Sequence, residues 1–263
     1  MGALKRVWAV AQGIVIVNAD DFGLSDVVTD ATLRCFQAGG ITSASEMVWM
    51  PDSARAASLA REQAVPIGLH LNLDTAFTDA NSPRCARTAQ ERVTPWFGSP
   101  RRHHIRAYNF SRAFRRALDT SIEAQLEEFR ARHDREPTHI DGHHHVHLAW
   151  NVLTSKAIPD GTAVRTTRRM ETTSVALRAL RSVRERWLRH RFRSTDYFYD
   201  LRWLAFPNGL SEPVSLGVLN RAGSHSVEVM VHPGSRDELG LLCSEKWTGL
   251  IGSIPTGSFA DLS

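Results

Sequence analysis

Short apolar, β-branched runs alternate with segments of helical periodicity along most of this chain, and that alternation limits the fold more than any other feature. Gly13–Asn18 (GIVIVN) reads as a buried strand. Asp26–Ala38 follows with apolar residues at helical spacing, and Gly39-Gly40 is a stop signal. Ser43–Trp49 reads as a second strand, and Pro51-Asp52-Ser53 opens a helix to about Gln63 with Asp or Ser as its cap. Ile67–Leu73 (IGLHLNL), Thr138–Asp141, Ala163–Thr166 and Val227–Val231 (VEVMV) read as further strands. Helices are predicted over Ser111–His133, His147–Ala157, Ser174–Phe192 and Pro213–Ala222. Residues 75–110 are rich in Pro, Arg, Ser and Thr and lack a clear period, which predicts a long loop. Strands alternating with helices imply a parallel sheet, either an open doubly wound sheet or a barrel. The 263 residues suit one such domain, and no repeat or boundary divides them.

Composition narrows the class. Hydrophobic residues make up 42% and charged residues 23%, as in an ordinary globular protein. No apolar run reaches the roughly 20 residues that span a bilayer, so no membrane segment is expected. The short apolar stretch after Lys5 and Arg6 leads straight into the first strand, and no cleaved leader is expected. Cys35, Cys85 and Cys243 are odd in number and far apart in sequence, which fits neither a disulfide framework nor a Cys-based zinc site. A reducing, cytoplasmic setting follows as the expectation. The net charge of +4 and pI near 9.3 permit an anionic partner, but no nucleic-acid module is visible.

Four polar clusters stand at the ends of predicted strands: Asn18-Ala19-Asp20-Asp21-Phe22-Gly23, His70 with Asn72, His139 to His147 (HIDGHHHVH), and His232-Pro233-Gly234. In parallel α/β folds the C-terminal strand ends meet on one face, where sites are built. Singly, each cluster has a mundane explanation as a cap, a core histidine, a surface patch or a turn. Together they point to a metal site. Adjacent carboxylates in a strand face opposite ways, so the chain must turn near Asp20 and Asp21 before both can serve one site. Asp and His without Cys suit a divalent ion such as Zn, Mg, Mn, Co or Ni. Three protein ligands would leave room for water and substrate. Such an ion polarises a carbonyl and acidifies its water. A carboxylate off the metal would take the proton, and a histidine opposite would protonate a leaving amine; Asp20 and His232 are the candidates.

At these residues the sequence resembles the YdjC-like carbohydrate deacetylases, which include the bacterial chitooligosaccharide deacetylases. The matching motifs are NADDFG at 18–23, GLHLNL at 68–73, PTHIDGHHHVH at 137–147 and EVMVHPG at 228–234, in that order, over roughly residues 14–234. The resemblance implies an α/β fold, a distorted TIM-like (β/α) barrel with fewer than eight regular units. It implies one divalent metal ion (Mg, Zn or another) held by Asp21, His70 and His143. It maps the catalytic base onto Asp20 and the acid onto His232, with Asp141 and His147 supporting the ligands from behind. The implied reaction removes the N-acetyl group of an acetylated amino sugar or oligosaccharide and releases acetate. A homodimer is compatible with it. The same ligands could serve a metal hydrolase of phosphoesters or other amides, or the fold could carry a non-catalytic binding protein.

Secondary features are less specific. Arg165 at a strand end either touches product acetate or is solvated, and Asn72 stands close to His70 in sequence. Trp96, Trp150 and Trp203 read as core more than as sugar-stacking platforms. The run from Arg178 to Arg193 reads as a solvated basic helix face.

Overall fold

Period-2 alternation in the strands builds a sheet with two unlike faces. The computed structural model describes residues 13–98, 108–166, 175–205 and 224–262. Within them lie six strands, β1 (Val15–Phe22), β2 (Ser43–Glu46), β3 (Ile67–Leu71), β4 (Ile140–Gly142), β5 (Tyr197–Asp200) and β6 (Val227–Val231). All pair in parallel, in the order β4-β3-β2-β1-β6-β5. Val15, Val17 and Ala19 of β1, Leu69 and Leu71 of β3, and Val227 and Val229 of β6 belong to one apolar core, which Leu33, Leu118, Ile122 and Phe129 of the surrounding helices complete. Burying each such Leu, Ile or Phe contributes about 1.5–3 kcal/mol.

The opposite face is layered. At its base Ile16 packs with Ala163, Phe259 and Leu262. Further along the strands the same face carries Asn18, Asp20, Ser45, His70, Asp141 and Glu228, all buried. Single bridges from Ile140 to Val164 and from Ala163 to Arg193 continue the sheet past β4. Arg165, just beyond that edge, pairs with Asp20 of β1 and Glu228 of β6. Such reach across β2 and β3 requires that the sheet curl, so the six strands form a distorted partial barrel with its polar layer inside. Gly68 has no side chain because His139 occupies the space a Cβ would need.

The helices are α1 (Asp26–Gln37), α2 (Ser53–Glu62), α3 (Arg84–Phe97), α4 (Arg112–His133), α5 (Trp150–Leu153), α6 (Val175–Arg191), α7 (Leu201–Ala205), α8 (Arg236–Leu242) and α9 (Glu245–Gly252). α4 matches its predicted range: Ser111 caps it by accepting from the Phe114 backbone N–H, and Asp134 ends it in the left-handed region at φ 52°. Among the described residues no helix is long and apolar enough to cross a membrane.

Several expectations need correction. The 75–110 segment contains α3, whose buried Ala86, Ala89, Gln90, Val93 and Phe97 keep helical spacing. Small and polar members of that stripe hid it from a hydrophobicity reading. β5 was not predicted; its YFYD run follows directly on the basic segment. Ala163 and Val164 form only isolated bridges, not a strand. The Ser43–Trp49 strand ends at Glu46. His147–Ala157 is not one helix, since a 3-10 turn covers His143–Leu148 and α5 only Trp150–Leu153. Near the C-terminal end of the described residues, Phe259 stacks on His139 at 3.8 Å between ring centroids and packs with Ile16, Ala163 and Leu262 at the barrel base. The helix predicted at Pro213–Ala222 lies outside the described residues.

Candidate active site

The polar clusters expected at the strand ends meet, and a backbone irregularity in β1 makes this geometry workable. Asn18 and Asp20 share the inward face by simple alternation, and the Asn18 amide donates to Asp20 Oδ1 at 3.0 Å. Alternation alone would send Asp21 outward. Instead Asp21 takes a left-handed conformation at φ 67°, and the β1–β2 register slips between Ala19 and Phe22. A non-glycine residue there is strained, by about 1–2 kcal/mol, and such strain tends to concentrate at functional sites. The chain does turn where the paired carboxylates required it.

Asp21 Oδ1 faces His70 Nε2 at 3.2 Å and His143 Nε2 at 3.9 Å. Oδ1 is buried and has no hydrogen-bond partner among the described residues. The far side of each imidazole is pinned by a carboxylate. His70 Nδ1 donates to Asp141 Oδ1 at 2.8 Å, and His143 Nδ1 donates to Asp74 Oδ1 at 2.9 Å. Both rings therefore present Nε2 toward the orphaned Asp21 oxygen. This is how proteins orient metal-binding histidines. Two tighter groups of potential donors, Asp74/His143/His144 and Asp20/His70/Asp141, also occur. In each, the imidazole Nδ1 atoms already donate to a carboxylate, so they fit a supporting layer better than a ligand set. A His/Asp cluster able to bind a metal ion is thus present.

Electrostatics follows from burial and proximity. Burial alone would raise the Asp21 carboxyl, but the close-lying His70, His143 and His232 outweigh it and hold it below the usual carboxylate range. Burial alone would lower His70, yet Asp141 and Asp20 raise it well above the usual imidazole value. Asp141 is held far down by Arg165 and His70 against its own burial.

Arg165 is neither solvated nor exposed to substrate; it is fully buried. Its fork grips Asp20 with two 2.6 Å hydrogen bonds, Nη2 lies 2.7 Å from Asp141 Oδ2, and Nε donates to Glu228 Oε1 at 2.7 Å. Glu228 was not predicted, although a lone Glu in the apolar run VEVMV was a signal that it needed a buried partner. Burial pushes its carboxyl up to about 8; Arg165 opposes this, while Asp141 and Asp20 add to it. A carboxyl raised above its unfolded value stabilises the fold fully only below that value, and the contribution is lost as pH climbs toward the folded pKa. Glu228→Gln keeps an acceptor for Arg165 and cannot ionise. Its stability relative to the native chain should therefore improve from pH 4.5 to 8, by at most about 1.4 kcal/mol per pH unit. Urea unfolding at pH 5 and pH 8 measures this, and an identical difference at both values would refute it.

The remaining predicted residues sort as follows. The Asn72 side chain is engaged locally, Oδ1 accepting from the Thr75 backbone N–H at 3.0 Å and Nδ2 donating to Met50 Sδ at 3.7 Å, while its backbone carbonyl accepts from Gln90 Nε2 at 3.1 Å and Gln125 Nε2 at 2.8 Å. His147 is buried, and neither ring nitrogen has a hydrogen-bond partner among the described residues. His232 follows β6 and is partly exposed. Glu238 of α8 accepts from its backbone N–H at 2.6 Å, and Glu238 also pairs with Arg202 at 2.7 Å. Asp74 was missed. Trp96 and Trp150 pack against the core, not into the site; the Trp203 side chain lies outside the described residues. The basic segment is partly internal: Arg189 pairs with Glu185 at 2.9 Å, Arg191 with Asp160, and Arg193 donates to the Leu262 carbonyl at 2.6 Å.

Known proteins are similar to this chain along most of its length. A Geobacillus stearothermophilus carbohydrate deacetylase is 32% identical over 225 residues, covering 84% of this chain and 80% of its own. A chitooligosaccharide deacetylase of Yersinia pestis (strain Pestoides F) is 28% identical, covering 86% and 83%. Among solved structures, an Enterococcus faecalis V583 protein described as a putative cellobiose-phosphate cleavage protein superposes with a TM-score of 0.66 at 21% identity, over 95% of this chain and 98% of its own, which speaks to fold alone. The model of the YdjC-like protein family matches residues 14–250, a span that contains every strand of the curled sheet and every residue facing Asp21, and the chain belongs to that family.

Proposed function

We propose that this chain hydrolyses the N-acetyl group of an acetylated amino sugar or oligosaccharide, with one divalent ion held by Asp21, His70 and His143. The observation that carries the reading is the buried Asp21 Oδ1, which has no hydrogen-bond partner among the described residues and is faced by two imidazoles whose Nδ1 atoms are both carboxylate-pinned. The relatives named as carbohydrate deacetylases supply the substrate class. One oxygen and two imidazole donors suit Zn, Mn, Co, Ni or Mg. When bound, such an ion polarises the acetyl carbonyl and acidifies water.

The chain's own residues account for the proton traffic. A carboxylate has about four acceptor sites. Arg165 and Asn18 occupy three on Asp20, and the fourth, on Oδ2, remains to take the proton of the attacking water. His232 stands close enough to Asp21 to influence its ionisation, with a buried Nδ1 that has no hydrogen-bond partner among the described residues and lies 3.9 Å from Glu238 Oε1. As the C–N bond breaks, His232 delivers a proton to the departing amine, and acetate leaves.

The test is acetate release from a panel of N-acetylated sugars, using protein stripped of metal and then resupplied with Zn, Mg, Mn, Co or Ni. Activity is expected to vanish on stripping and to return with at least one ion. Full activity after exhaustive chelation would sink the metal assignment. Metal uptake without acetate from any sugar would sink the substrate assignment.

A further inference from the structure

The two imidazoles facing Asp21 reach their orientation by different routes. His70 sits within β3, and its brace Asp141 is its paired neighbour on β4. His143 follows β4, where the chain leaves the sheet and passes through two left-handed residues, His144 at φ 49° and His145 at φ 58°. Regular backbone pairing does not define such a segment, so a side chain must hold the His143 ring. Asp74, whose side chain is nearly fully buried, fills that place: Oδ1 accepts from His143 Nδ1 at 2.9 Å and Oδ2 from His144 Nδ1 at 2.7 Å.

Asp74 is itself anchored. It sits in a turn after β3 closed by Asn72, whose side-chain oxygen accepts from the Thr75 backbone N–H at 3.0 Å. Gln125 of α4 both donates to the Asn72 carbonyl and accepts from the Asn72 backbone N–H at 2.9 Å. Gln90 of α3 donates to the Asn72 carbonyl at 3.1 Å and to the Thr75 carbonyl at 2.6 Å. Asn72, Gln90 and Gln125 are buried. The turn is thus fastened from two helices, one of them inside the segment that looked like a loop.

We infer that Asp74 is a positioning residue that sets His143 for metal binding, with the Asn72–Gln90–Gln125 brace holding Asp74 and His144 fixing the plane of its carboxylate. This rests on the metal-site reading proposed above. Removing such a brace typically weakens metal affinity about 10–100-fold.

The experiment is Co(II) titration of the metal-free chain, read by binding and by the visible absorption of the bound ion, for the native protein and for Asp74→Ala, Asp74→Asn and His144→Ala. Asp74→Ala should lose about 10–100-fold in affinity. Asp74→Asn, which keeps one acceptor oxygen, should fall between it and the native chain and shift the absorption bands. His144→Ala should lose clearly less affinity than Asp74→Ala, because it removes only the indirect support and leaves the Asp74–His143 bond in place. Native affinity and an unchanged spectrum in Asp74→Asn would overturn the inference even if Asp74→Ala failed to fold. Loss in His144→Ala as deep as in Asp74→Ala, or a second bound ion lost in both, would make Asp74 and His144 ligands and overturn it too. Asp21→Asn and His70→Ala separate the two readings. If either still takes up Co(II) like the native chain, the metal site itself is wrong and the inference falls with it.

Discussion

Asp20→Asn is expected to lower turnover by about 10²–10⁴-fold while leaving divalent-metal uptake nearly intact. Asn keeps the size and shape of Asp but cannot hold a proton taken from water. Asp21, not Asp20, makes the ion pairs with His70 and His143 Nε2, and the two Asp20 oxygens are occupied mainly by the Arg165 fork. Metal binding should therefore survive in Asp20→Asn and fail in Asp21→Asn, although the two residues are adjacent in sequence. Acetate release and metal titration on the same two preparations test this. Turnover of Asp20→Asn within tenfold of the native chain would remove Asp20 from the role of base, and loss of metal in that variant would place it among the ligands.

Arg165→Met is expected to cost about 3–5 kcal/mol of stability, because it takes the guanidinium from a buried cluster of Asp20, Asp141 and Glu228. The cost lies less in the lost attraction than in carboxylates left without water or partner. Melting should drop by roughly 10 °C. Arg165→Lys restores one positive charge but not the fork on Asp20, so its stability should recover in part while activity stays low. A melting temperature for Arg165→Met within about 2 °C of native would show that the cluster is not energetically coupled as the distances imply.

Both predictions concern groups that sequence reading treated unequally. Asp20 was singled out because two carboxylates ended an apolar run. Arg165 was noticed only as a residue at a strand end, since a strand end does not reveal whether an arginine turns outward or is enclosed. Asp74 carried no signal of its own: an acidic residue before Thr75 in an irregular segment resembles any solvated turn. Its importance comes from α3 and α4, which fasten that turn against the barrel.

What the amino-acid sequence by itself determined is what depends on near neighbours: strand and helix alternation, the α4 range and its Ser111 cap, the apolar start of the first strand, and the gathering of Asp and His at strand ends. Periodicity encodes these directly, because side chains two or three to four positions apart share a face whatever the rest of the chain does. Only the tertiary structure decided who faces whom. Curling of the sheet brings Arg165 to residues 145 positions earlier and 63 later. Packing of α1 against α8 brings the Cys35 and Cys243 sulfurs to 3.9 Å although 208 positions separate them. The left-handed turn at Asp21 swings a side chain that strand alternation would have faced away. Such meetings depend on sheet curvature, register and packing, which sum over the whole chain, so no local pattern records them.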